Sequence, residues 1–303
     1  MNNPLPIVCG TDFSSIASEA TNIAAAMARR LGTELVLVHV DEFYGLAPVD
    51  PKTFDAALSE KRTALDDEAN RLRNLGTQVR PKLLSGSAFD QLVTAATNAK
   101  GRLIVVGAVG HGLARRLLVG SVAERTAESS SIPTLVVRQG GRLASWVRDK
   151  DKLRVLVGYD FSEASDAALR WVNQLTEIGK FQVTVLYSNW APDEARRLGY
   201  EGPLPLVTNP AEVQKKLQRD LKNRVTKLLP NRGVSVIVEP GWGTPEGYLF
   251  EMASRQKIDM IVVGTHQRQG LDRVLLGSVS RAVLHHARMS VAVVPPAKTA
   301  TQK

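Results

Sequence analysis

The sequence predicts a doubly wound α/β architecture, and it predicts that architecture twice. Three observations carry this reading. Short, β-rich apolar runs alternate with longer segments of helical periodicity, the pattern of parallel strands joined by right-handed helical crossovers. The pattern restarts near the middle, where Gly10, Asp12 and Ser14 recur 148 positions on as Gly158, Asp160 and Ser162. Glycines mark matching places in both halves: Gly76, Gly86, Gly107, Gly120 and Ser121 recur 157 positions on as Gly233, Gly243, Gly264, Gly277 and Ser278. Each unit of about 140 residues is long enough to bury its own core, so this is a duplicated domain and not a solenoid.

The elements follow in order. Pro6–Gly10 is an apolar first strand that ends at Thr11-Asp12-Phe13-Ser14. The alanine-rich stretch from Ser15 to Leu31 is a helix, capped by Ser14 or Ser15 and stopped by Gly32. Glu34–Val40 suits a strand buried on both faces. A long helix is expected over 53–75, ended by Gly76, then a strand over Val79–Leu84 and a helix over 88–99. A fourth strand at 102–106 leads into a glycine loop and helix over 107–130, and Thr134–Arg138 is a fifth strand. The offset between the halves grows by nine residues, which places an insertion between about 189 and 232, where Pro192, Pro203, Pro205 and Pro210 punctuate a loop. Expected boundaries are 1–140 for the first domain, 141–152 for a linker that Trp146 anchors, 153–297 for the second domain and 298–303 for a tail.

Composition narrows the class. The chain has 303 residues, 44% of them hydrophobic, and no apolar run of about 18 residues, so a membrane span is not expected. The start, Met1-Asn-Asn-Pro-Leu-Pro-Ile-Val8, lacks the charged and apolar regions of a secretory signal. Cys9 is the single cysteine and lies in a strand, which fits a buried thiol and a reducing, cytoplasmic setting. The net charge of +9 is spread over helices with interleaved acids, as at Arg71/Arg73 and Lys215/Lys216. With no aromatic-plus-basic stripe, nucleic-acid binding is disfavoured.

Chemistry concentrates at one loop. Gly107-x2-Gly110-x9-Gly120-Ser121 follows a strand and opens a helix, and glycines there let the backbone approach an anion that the helix N-terminus attracts. Asp12 ends the neighbouring strand, and carboxyl ends of parallel strands are where such sheets bind ligands. Glycines also end strands for purely structural reasons, but their spacing, the following Gly-Ser and the nearby carboxylate favour a phosphate cradle.

These residues resemble the ATP-binding members of the universal stress protein family, twice over and across nearly the whole chain. The resemblance implies, in each half, a Rossmann-like (adenine nucleotide alpha hydrolase-like) parallel sheet of five strands in the order 3-2-1-4-5. It implies ATP, with or without Mg²⁺, held by Thr11 and Asp12 at the base and ribose, by the Val40 backbone at the adenine, and by Gly107, Gly110, Gly120, Ser121 and Val122 at the phosphates. It also implies a pseudo-dimer within the chain, joined through the fifth strands at 134–138 and 291–295; association of two whole chains is left open. The second half departs from the pattern. It keeps Asp160, Gly264, Gly277 and Ser278, but Gln267 replaces the second loop glycine and Ser188 replaces Val40. Gln267 either fills the phosphate space and diverts the loop or points outward, so two unequal pockets are expected.

Rival chemistries are weaker. An Asp ending a first strand can accept a phosphoryl group, but no second carboxylate lies beside Asp12 or Asp160 to hold Mg²⁺. Gly241-Trp-Gly243-Thr-Pro-Glu-Gly247 follows the third strand, whereas a dinucleotide fingerprint belongs to the first turn. There is no Walker motif. His285 and His286 point about 100° apart on a helix and make a poor chelating pair; His266 lies in the second glycine loop, within reach of a ligand, but a structural role is favoured for all three. Arg115/Arg116 and Arg268/Arg273 lie in the loop spacers, where they either neutralise phosphate or face solvent. No positioned general base is evident, so efficient catalysis is not expected. The expected function is an ATP-binding sensor or regulator in stress response. The alternatives are a nucleotide-independent interaction or small-molecule module, and a slow ATPase.

Overall fold

The computed structural model describes residues 4–42, 51–109, 119–189, 210–230, 233–240, 243–267 and 274–296. The first half runs β1 (Ile7–Gly10), α1 (Ser15–Arg30), β2 (Leu35–Asp41), α2 (Pro51–Asn74), β3 (Val79–Ser85), α3 (Ala88–Asn98), β4 (Leu103–Gly107), α4 (Ser121–Ser129) and β5 (Thr134–Val137). A short helix, α5 (Gly141–Val147), occupies the connection. The second half runs β6 (Leu153–Gly158), α6 (Glu163–Gln174), β7 (Phe181–Asn189), α7 (Pro210–Leu228), β8 (Val234–Pro240), α8 (Pro245–Arg255) and β9 (Met260–Gly264). It continues through β10 (His266–Gln267), β11 (Val274–Leu275) and α9 (Ser278–His286) to β12 (Ser290–Val294).

The sheet is a single ten-stranded layer in the order β3-β2-β1-β4-β5-β12-β9-β6-β7-β8. Every neighbouring pair in it is parallel except β5 and β12, which run antiparallel at the seam between halves. At that seam Leu135 lies opposite Ala292, its own counterpart 157 positions on. A residue opposite its counterpart marks the pseudo-twofold axis.

Side-chain alternation divides the strands between two cores. Ile7, Cys9, Leu35 and Leu37 face α1 and α2, while Val8, Val36 and Val38 face α3 and α4. Each core continues across the seam, so helices cover both faces of the whole sheet. Burial pushes the Cys9 thiol well above its ordinary range, which keeps it protonated and inert. Trp146 of α5 is 1% exposed, and its indole lies so close to Gly179 that a Cβ there would sit 2.7 Å from Nε1. Arg30 of α1 also donates to the Val147 carbonyl at 3.0 Å. The connection is therefore packed against both halves.

One expectation needs correcting. Pro210 does not punctuate a loop but opens α7, the first-turn position where its missing N–H would have had no helical partner. Pro192, Pro203 and Pro205 lie outside the described residues. Among the described residues no helix is long and apolar enough to cross a membrane.

Candidate functional site

The turn after β1 is built by side chains bonding to backbone. The Ser14 amide donates to Asp12 Oδ1 at 3.0 Å, the Phe13 amide to Thr11 Oγ1 at 3.1 Å, and the Ala17 amide to Ser14 Oγ at 3.2 Å, capping α1. These bonds hold Phe13 at φ 64°, a left-handed conformation uncommon for a bulky residue. The second half repeats the device. Ser162 bonds Asp160 at 3.0 Å and caps α6 through Ser165, and Phe161 stands at φ 63°.

Opposite this turn, α4 starts at Ser121 with Gly120 as its cap residue, which has no side chain to bond the first amides. The Gly120 amide donates to the Ala108 carbonyl at 2.7 Å, tying the two ends of the loop together. Between turn and helix lies a cavity of about 370 Å³. It collects Thr11, Asp12, Val40, Gly107, Gly120, Ser121 and Val122 at the carboxyl ends of β1, β2 and β4. Gly110 lies outside the described residues, as do Arg115, Arg116, Arg268 and Arg273.

The equivalent cavity in the second half gathers Asp160, Ser188, Gly264, Gly277 and Ser278, and holds about 200 Å³. Pockets for small organic ligands usually span about 300–1,000 Å³. The first cavity lies in that range and the second below it. Ser280, where the first half has Ala123, donates to the Gly264 carbonyl at 2.6 Å and occupies that carbonyl. Gln267 sits in a two-residue antiparallel ladder, opposite Val274. The loop thus leaves the second sheet as a ribbon, in an extended conformation that a side chain tolerates.

Sequence reasoning missed two features. His39 lines the first cavity and lies against the Phe13 ring at 4.5 Å, with Nδ1 2.8 Å from the Thr11 carbonyl oxygen. A carbonyl only accepts, so Nδ1 carries a proton. The signal was a lone histidine in an apolar strand, one residue before Val40. The second feature lies in the other half. Tyr159, the counterpart of Thr11, donates its hydroxyl to Asp166, which also accepts from Arg224 of α7. Burial, then the adjacent carboxylate, push the Tyr159 phenol well up, so it remains a donor.

Burial works against the Asp166 carboxylate, but hydrogen bonds from Arg224 and Tyr159 prevail and hold it below the usual carboxylate range. Such a group adds stability above its unfolded pKa of about 3.9, and that stability is lost as pH falls through the lower folded value. Arg224→Met should therefore move the acid-unfolding midpoint to higher pH, read by circular dichroism. An unmoved midpoint would show that Arg224 does not sustain this carboxylate.

The glycines ending β4 and β9 have a packing reason of their own. A Cβ on Gly107 would lie 3.0 Å from Ile16 Cγ2 and 3.2 Å from the Ala17 nitrogen. On Gly264 it would lie 2.6 Å from the carbonyl carbon and oxygen of Ala164. The starts of α1 and α6 press directly on these strand ends.

Comparison with known proteins agrees with this architecture. A universal stress protein of Methanocaldococcus jannaschii is 30% identical over 139 residues, 45% of this chain and 80% of the relative. One from Mycolicibacterium smegmatis is 26% identical over 313 residues, covering 96% of this chain and 97% of that one. The crystal structure of a universal stress protein from Archaeoglobus fulgidus superposes with a TM-score of 0.70 at 18% identity, over 96% of this chain and 98% of its own, and so shares the fold. The universal stress protein family profile matches residues 5–138 and again 153–295. Two Rossmann-like domains in tandem, each matching that profile, make this chain a member of the universal stress protein family.

Proposed function

We propose that the first half binds ATP and that the chain acts as a nucleotide-dependent regulator of stress response in the cytoplasm. The observation that carries this is the 370 Å³ cavity, which joins the Asp12 turn to the start of α4, where the cap residue is Gly120. Amides at a helix start that no side chain caps favour a phosphate. Gly107, Gly120, Ser121 and Val122 would hold the phosphates, Thr11 and Asp12 the ribose and base, and the Val40 backbone the adenine. Among the described residues no three His, Cys, Asp or Glu side chains converge on a metal position. Any Mg²⁺ would therefore be held chiefly by the phosphates, whose charge it would offset.

The second cavity supports a weaker reading. Its volume is smaller, and the Ser280 hydroxyl already engages the Gly264 carbonyl. We therefore place one high-affinity ATP site in each chain, in the first half. Mass spectrometry of the supernatant after denaturing the purified chain should show adenine nucleotide, and calorimetry with MgATP should saturate near one site per chain. Absence of co-purified nucleotide, together with no binding at millimolar MgATP, would refute the proposal.

A further inference from the structure

The contacts across the seam use unlike chemistry at equivalent positions. Helices α4 and α9 pack beside the pseudo-twofold axis, and His285 Nε2 lies 2.8 Å from Glu124 Oε1 while Arg281 donates to Glu128 at 2.9 Å. Counterparts stand 157 positions apart, so Glu124 corresponds to Arg281 and Glu128 to His285. The two contacts are therefore images of one another under the pseudo-twofold, with acid and base exchanged. The first half carries two acids there, and the second carries two bases.

A second lock beside them is equally one-sided. The Arg138 amide donates to Ser290 Oγ at 3.0 Å, and that hydroxyl donates back to the Arg138 carbonyl at 2.8 Å. The Arg138 side chain, 5% exposed, reaches the Leu284 carbonyl at 2.8 Å, near the C-terminus of α9 where a cation is favoured. The counterpart of Ser290 is Pro133 and that of Arg138 is Pro295. Neither proline can supply what its counterpart supplies.

A pairing of two first halves would set Glu124 against Glu128 twice and would give Arg138 no serine. A pairing of two second halves would set Arg281 against His285 twice. We infer that this seam is a specificity surface: the first half recognises the second half of this chain and rejects the same half of another copy. A partly exposed ion pair is individually worth little, but placing like charges in the same seats is penalised, and that penalty selects between partners.

The full chain tests this directly. Arg281→Glu/His285→Glu gives α9 the acids of α4, so its internal seam imitates a pairing of two first halves. Glu124→Arg/Glu128→His imitates the opposite pairing, and combining all four exchanges the charges across the seam. At low salt each double variant should lower the thermal midpoint by roughly 3–6 °C, and the quadruple variant should return to within about 2 °C of the parent. Molar salt should shrink these differences. If the two double-variant losses simply add in the quadruple variant, the halves do not read each other's charge and the inference fails. Should a double variant not fold, the single variants Arg281→Glu and Glu128→Arg close the same cycle, with additive losses again the refuting outcome.

Discussion

Gly120→Asp should weaken ATP binding by the first half at least 100-fold while leaving the fold as stable as before, or slightly more so. The backbone at Gly120, φ −76° and ψ 152°, is one that any residue adopts. Aspartate is a preferred helix cap and gains a few tenths of a kcal/mol over glycine there. Its carboxylate would bond the amides proposed to receive phosphate, and its charge would repel what remained. A 100-fold loss corresponds to about 2.7 kcal/mol, below the cost of bringing like charges close in a partly buried site. Calorimetry with MgATP and a thermal melt of the same sample separate the two effects. Gly277→Asp makes the same change at the cap of α9 and should leave the high-affinity site intact. Unchanged affinity in Gly120→Asp would place the phosphates somewhere other than the start of α4.

Gly264→Ala should destabilise the chain by about 3 kcal/mol, lowering its thermal midpoint by roughly 6–12 °C. The new methyl would meet the Ala164 carbonyl at 2.6 Å, and backbone cannot rotate aside as a side chain can. Either β9 or the first turn of α6 must move. Gly107→Ala meets a flexible Ile16 methyl and a longer backbone contact, and should cost clearly less. Differential scanning calorimetry of both variants would test the order. A shift of only about a degree for Gly264→Ala would mean that the contact relaxes freely. Loss of ligand binding in a Gly264 variant would not by itself demonstrate a phosphate contact, because the residue is also required for packing.

These two glycines show what a sequence discloses and what it withholds. Gly107 and Gly264 were visible as landmarks, because glycine at the end of an apolar run is a local signal that a duplication repeats. The neighbour that demands glycine was not visible, because the start of α1 or α6 reaches the strand end only in the folded chain. The alternation of strands and helices and the cap at Ser14 were legible because each rests on residues a few positions apart, and the duplication because the same local signals recur at a fixed offset. Contacts joining distant positions were hidden: His39 against the Thr11 carbonyl, Arg224 against Asp166, and His285 against Glu124. The helix at 141–147 was obscured by its glycine start and the charges around it, although Leu143, Trp146 and Val147 form its buried face. Phe13 was hidden for another reason. Its left-handed backbone is imposed by the bonding of Thr11, Asp12 and Ser14 around it, and contradicts the preference of the residue itself.

The antiparallel seam has a bearing on solubility. Two separate five-stranded sheets would present four open borders, and two of them would be β5 and β12, whose Leu135, Val136, Val137, Val291, Ala292 and Val293 are fully buried here. Bare apolar borders of that kind template the addition of further strands and lead to aggregates. Joining the halves hides both. The outer borders that remain are β3 and β8, and β3 carries Arg80, Pro81 and Lys82 in succession. A proline on an outermost strand withholds an amide from any incoming chain, and the flanking cations resist close stacking. The chain thus turns two adhesive borders inward and guards β3, one of the two left outside.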